Sequence, residues 1–149
     1  MILIVGCGNV LFGDDGFGYE VIKRLEEIKL PENVKLIDAG ASGAYYLMDI
    51  VDENVEKIII VDAIDYGLKP GEIKILSVDE LPNIRKYTFD AHAVPLAPFL
   101  KDLAEKGIEV KVIGCQVKNL PIPEINPGLS EEVKKAVDKA VKIILEEIL

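Results

Sequence analysis

Three aspartates and one histidine carry the chemistry that this sequence could perform. Asp15 closes a glycine-rich turn after the apolar run Ile2 to Val5, Asp38 follows Val34 to Ile37, and Asp62 follows Ile58 to Val61. His92 is the only histidine and stands just before an amphipathic stretch. Carboxylates with one imidazole make a mixed oxygen and nitrogen donor set able to hold a divalent ion such as Zn²⁺ or Ni²⁺ with positions left open. Each residue also has a plainer use. An Asp after a strand often caps the next turn, and a lone His is commonly a surface or hydrogen-bonded group. Convergence favours a site: parallel strands share one carboxyl edge, and that edge is where α/β proteins bind ligands.

The apolar pattern supplies the elements that would gather these groups. Phe17, Val21, Ile22, Leu25 and Ile28 recur at helical spacing, predicting an amphipathic helix that ends near Pro31. Val34–Ile37 reads as a strand stopping at Asp38, and Ser42 is placed to cap a helix whose face is Tyr46, Leu47, Ile50 and Val51. Ile58-Ile59-Ile60-Val61 is a β-branched run of the kind found in a strand buried on both faces, so it belongs at the centre of a parallel sheet. Glu72–Leu76 reads as an antiparallel edge strand after the Pro70-Gly71 turn. Ser77 to Ala93 is mostly irregular and holds Asp90 and His92. A helix follows, beginning near Pro95 to Ala97, with Leu96, Phe99, Leu100 and Leu103 inward and Gly107 as its C′ residue. Glu109–Ile113 is the last strand, ending at Gly114-Cys115. After the proline-rich stretch 120–127, Ser130 is expected to cap a terminal helix striped by Val133, Val137, Ala140, Val141, Ile144 and Ile148. Alternating strands and helices predict an α/β fold: a three-layer open sandwich with a mostly parallel sheet of about five strands and helices on both faces. One domain, residues 1–149, is expected.

The first turn argues against the ligand that a glycine-rich turn usually suggests. A dinucleotide fingerprint starting at Gly6 needs glycine where Leu11 stands, and the Gly-Lys-Ser/Thr of a phosphate loop is absent. Asp14 and Asp15 would repel a phosphate from a helix N-terminus that should offer bare N–H groups. Two negative charges suit a cation instead. Of the pair, Asp15 is expected at the metal and Asp14 at the helix cap. Cys7 and Cys115 also end strands, so a thiolate paired with His92 is conceivable, although a free cysteine is more commonly a small buried hydrophobe.

Composition narrows the partners. The 149 residues carry a formal charge of −9, which argues against a phosphate-backbone footprint. No apolar run approaches the roughly 20 residues of a membrane span. Two cysteines and no secretory signal point to a reducing, cytoplasmic setting.

The stretch Gly6-Cys7-Gly8-Asn9-Val10-Leu11, then Asp14-Asp15-Gly16-Phe17-Gly18, resembles the opening motif of the [NiFe]-hydrogenase maturation endopeptidases. Asp38 with its glycine turn, Val61-Asp62-Ala63, His92 before a helix and Gly128-Leu129-Ser130 follow in the same order. The resemblance implies an endopeptidase that removes the C-terminal extension of a hydrogenase large-subunit precursor after nickel insertion. It also implies that Asp15, Asp62 and His92 contact the metal and carry catalysis. Nickel would arrive with the precursor, while Zn or Cd could occupy the same site. Asp38, Gly40 and Gly43 lie on the turn linked to substrate choice. That turn reads Ala39-Gly40-Ala41 where members often have Gly-Gly-Thr, Asp15 replaces the Glu of many members, and Ala93-Val94 follows His92 in place of a polar residue. Phe17 after Asp-Asp-Gly resembles members that process coenzyme F420-reducing hydrogenases. A monomer is expected, engaging one large partner. The readings left open are a nickel-sensing chaperone that does not cut, a cysteine peptidase and a nucleotide-binding regulator.

Overall fold

The computed structural model describes residues 1–40, 43–83, 86–87, 96–121 and 123–149. The first strand, β1 (Ile2–Cys7), is followed by a 3-10 turn (Gly13–Gly16) and helix α1 (Phe17–Glu26). Then come β2 (Val34–Gly40), α2 (Gly43–Ile50), β3 (Lys57–Asp65), β4 (Ile73–Leu76) and a 3-10 segment (Val78–Asn83). The two-residue β5 (Lys86–Tyr87), α3 (Leu96–Glu105), β6 (Glu109–Gln116) and α4 (Glu131–Ile148) complete the order.

Five strands lie in the order β2-β1-β3-β6-β4. The contacts β1 with β2, β1 with β3, and β3 with β6 are parallel, and β4 runs antiparallel along β6 at one edge. The short β5 pairs antiparallel with the end of β3. This is the expected mostly parallel sheet, with β3 at its centre. β-branched side chains on both faces of β3 explain the position: Ile58, Ile60 and Ile64 pack with Leu47 of α2 and Leu100 and Leu103 of α3. Ile59, Val61 and Ala63 pack on the other side with Phe17, Val21, Ile22 and Leu25 of α1 and Val137 and Ile144 of α4. Side chains alternate across a strand, so each face of β3 feeds one helical layer. The three-layer arrangement follows.

Several expected boundaries move. β2 continues through Asp38 to Gly40, and β3 runs past Asp62 to Asp65. Asp38 and Asp62 are therefore strand residues, because Asp38 sits in register with Gly6 and Asp62 in register with Gly114. β6 similarly reaches Gln116, held by the same pairing to β3. Helix α1 ends before Ile28, which is exposed beyond the packed face. Helix α3 closes as expected at Gly107: its N–H donates to Ala104 O (3.0 Å) and the Ile108 N–H donates to Leu103 O (3.2 Å). Ser42 and Pro95 lie outside the described residues. Among the described residues, no helix is long and apolar enough to cross a membrane.

At the opposite edge of the sheet from the aspartates, the end of α4 is latched to β3 and β6. Glu147 accepts from Lys111 Nζ (2.9 Å) and from Lys57 Nζ (3.0 Å), and the same Lys57 ammonium donates to the Glu147 carbonyl (3.1 Å). The bonds from Lys111 and then Lys57 hold the Glu147 carboxyl below its usual range. A lowered carboxyl pKa stabilises the fold above the ordinary Glu value, and that contribution is lost as pH falls through the folded value. Glu147→Gln should therefore cost about 1 kcal/mol at neutral pH. The gap to the parent protein should shrink below about pH 4, as read from urea midpoints across pH.

Candidate active site

The site is assembled where β1, β3 and α1 come closest. Gly8 follows β1 with φ of 112°, a left-handed conformation that glycine adopts without strain. Its missing side chain matters as much as its backbone. A methyl group there would run into the Asp15 carbonyl and stand 2.9 Å from Asp15 Oδ1 and 3.2 Å from Asp62 Oδ1. Both carboxylates thus close around one glycine. Gly18, at the start of α1, would with a methyl group collide with the Cys7 carbonyl and lie 2.6 Å from the Val61 carbonyl. Helix α1 therefore begins against the backbone of β1 and β3, and the turn before it carries Asp15 over the end of β1.

Asp15 and Asp62 are 2% and 0% exposed. Asp15 Oδ2 accepts from the Asn9 N–H (2.9 Å), and Asp62 Oδ1 accepts from the Ala63 N–H (2.8 Å). The two-residue period of β3 puts Asp62 on the side of Ile60 and Ile64, facing the α2 and α3 layer. His92 precedes α3 in the chain and lies outside the described residues. Among the described residues, no group of three His, Cys, Asp or Glu side chains forms a metal site. The structure therefore brings together two of the three expected metal contacts.

Asp38 is exposed near the end of β2, its Oδ1 accepting from the Gly40 N–H (3.2 Å). Gly40 stands opposite Cys7, and its carbonyl accepts from the Gly8 N–H (3.0 Å). Asp38 and Gly40, with Gly8, Asn9, Val10 and Tyr19, line a pocket of about 250 Å³. Gly43, the third residue expected on this turn, opens α2. Asn9 and Tyr19 were not expected at the site. The signal for Asn9 was its place between glycines: its side-chain Oδ1 accepts from the Leu11 N–H (2.9 Å), the local turn bond that asparagine favours.

Asp14 does not cap α1, whose N-cap is Gly16. Its carboxylate instead turns away from Asp15 toward the segment between β6 and α4. Ser130, expected as a side-chain cap, gives α4 no such bond and donates its hydroxyl to Asp14 Oδ2 (3.0 Å).

Both cysteines are buried. Burial, and then the charges of Asp62, Asp15 and Asp38, push the Cys7 thiol well above its ordinary range. Burial and the charge of Asp14 push Cys115 up to about 12. A nucleophilic cysteine needs the opposite surroundings, with cationic neighbours and some exposure. The cysteine-peptidase reading loses its nucleophile.

A family model described as hydrogenase maturation protease matches residues 19–147. A Methanocaldococcus jannaschii protein provisionally named a hydrogenase maturation protease is 72% identical over 147 residues, covering 99% of this chain and 96% of its own. The Coenzyme F420 hydrogenase subunit delta of Methanothermobacter thermautotrophicus is 43% identical over 152 residues, covering 99% and 94%. The solved [NiFe] hydrogenase maturation protease HybD of Thermococcus kodakarensis superposes with a TM-score of 0.77 at 31% identity, covering 99% of both chains. The chain belongs to the hydrogenase maturation protease family and is a peptidase.

Two outcomes test this geometry. Neither thiol should react with a disulfide reagent in the folded protein at about pH 8, and both should react after denaturation. Gly18→Ala must push α1 off β1 and β3, lowering stability by about 3 kcal/mol in urea unfolding.

Proposed function

We propose that the chain cuts the C-terminal extension from a [NiFe]-hydrogenase large-subunit precursor after nickel has been inserted. The observation that carries this reading is the pair of buried carboxylates, Asp15 and Asp62, closed around Gly8 at the carboxyl edge of the sheet. Buried carboxylates are costly unless cations or hydrogen bonds compensate them, and a hard oxygen donor pair with an added imidazole suits a borderline divalent ion. Nickel belongs to the precursor in this reading, and Zn or Cd can replace it at the same donors.

Nickel held by Asp15, Asp62 and His92 would supply Lewis-acid chemistry, polarising the scissile carbonyl and making water more acidic. The enzyme's residues do the rest. Asp15, held by the Asn9 N–H, and Asp62, held by the Ala63 N–H, present oxygens in fixed positions. His92 would complete the donor set. The neighbouring pocket, with Asp38 and Gly40 in its lining, anchors the substrate chain beside them. The 43% identity to a protein named Coenzyme F420 hydrogenase subunit delta favours a coenzyme F420-reducing hydrogenase as the source of the precursor. The chain works in the cytoplasm, as a monomer on one large partner.

Mass spectrometry of a nickel-loaded precursor mixed with the protein tests the reading. Loss of a C-terminal fragment is expected, and a metal-free precursor should stay whole. A stable complex with an uncut, nickel-loaded precursor would instead make the chain a nickel-sensing chaperone. Asp62→Asn and His92→Ala should each slow cleavage by about 100-fold.

A further inference from the structure

Asp14 is buried as completely as Asp62, at 0% exposed, yet it takes no part in the reaction proposed above. Its carboxylate accepts four hydrogen bonds. Oδ2 takes the Lys118 N–H (2.8 Å), the Asn119 N–H (2.8 Å) and the Ser130 hydroxyl (3.0 Å), while Oδ1 takes the Ser130 N–H (2.7 Å). Donors from both ends of the segment joining β6 to α4 thus converge on this carboxylate, three of them on Oδ2. Backbone bonds reinforce the junction: the Asp14 N–H donates to Asn119 O (3.0 Å) and the Gly13 N–H to Asn126 O (2.9 Å).

A 3-10 turn has three residues per turn, so adjacent side chains point about 120° apart. When Asp14 faces the β6–α4 segment, its neighbour must face elsewhere, and in this structure that direction is Gly8. We propose that Asp14 is a positioning residue: its four-bonded carboxylate fixes the rotation of the Gly13–Gly16 turn and so aims Asp15 at Gly8 and Asp62. The proposal rests on reading Asp15 as a site residue. Asn is a poor substitute for Asp14: its one oxygen can keep the Oδ2 bonds, but its NH₂ group then faces the Ser130 N–H that Oδ1 accepts. The turn would then have to rotate or draw back.

The test separates aim from stability by using Ile144→Ala, a core truncation in α4 away from the turn, as the destabilised control. In Asp14→Asn, exchange of the Asn9 amide, which is bonded to Asp15, should accelerate about tenfold relative to the Ile4 amide of β1. In Ile144→Ala both amides should change together. With the nickel-loaded precursor, Asp14→Asn should lose about 100-fold in kcat, while KM stays within about threefold. Ser130→Ala, which removes only the hydroxyl donor, should move the amide ratio in the same direction by less. An Asn9 to Ile4 ratio and a kcat in Asp14→Asn that match the Ile144→Ala control would overturn the proposal. Should Asp14→Asn fail to fold, an unmoved ratio in Ser130→Ala overturns it equally. If the parent protein leaves the precursor whole, the proposed function falls, while the amide ratio still decides whether Asp14 aims Asp15.

Discussion

The absence of a side chain at Gly18 is the constraint from which the rest of the site follows. Helix α1 can start against the Cys7 and Val61 carbonyls only because nothing but hydrogen projects from that position. This close approach sets the level at which the preceding turn crosses the end of β1. It also brings a residue of that turn within reach of a residue on β3, the neighbouring strand. Gly8 completes the arrangement by leaving room for two carboxylates that a methyl group would displace. The glycine-rich opening is thus a packing device for backbone layers. In a dinucleotide site similar spacing would admit a pyrophosphate; here the space is taken by acids.

Packing acids into that space bears on the neighbouring Cys7. The charges of Asp62, Asp15 and Asp38 all raise the Cys7 thiol, after burial itself. One small buried group therefore senses all three acids that the sequence suggested, although Asp38 is exposed and lines the neighbouring pocket. Such a field opposes any further anion and lowers the energy of a cation. It stabilises a neutral thiol, which leaves Cys7 as packing between β1 and the α2 and α3 layer.

Much of this was legible in the amino-acid pattern. The β-branched run at Ile58–Val61 marked the central strand because only a strand covered on both faces can bury every residue. The helical periods of Phe17–Leu25 and Val133–Ile144 marked the two helices of one layer. Strand ends were less legible, since Asp38 and Asp62 look like turn residues by type. Their strands run on because neighbouring backbones still offer partners, and no local propensity encodes that. Asp14 was misread for a related reason. Its partners, Lys118, Asn119 and Ser130, are more than a hundred residues away in sequence, whereas a helix cap is a local bond. His92 lies outside the described residues, so its place rests on the resemblance and on its position before α3.

Asp14 and Asp15 show how identical neighbours take different directions. Neither carboxylate has a distinctive sequence context, and both are buried. What separates them is the direction in which each carboxylate points. Asp14 faces the segment between β6 and α4, where Lys118, Asn119 and Ser130 donate to its carboxylate. Asp15 meets the Asn9 N–H through Oδ2, while its Oδ1 is the oxygen that faces the space at Gly8 beside Asp62. Two adjacent carboxylates can therefore serve different neighbours, provided the turn between them is tight enough to point them in different directions. The 3-10 geometry supplies that divergence, and an α-helical turn, at about 100° per residue, would bring the two acids closer together.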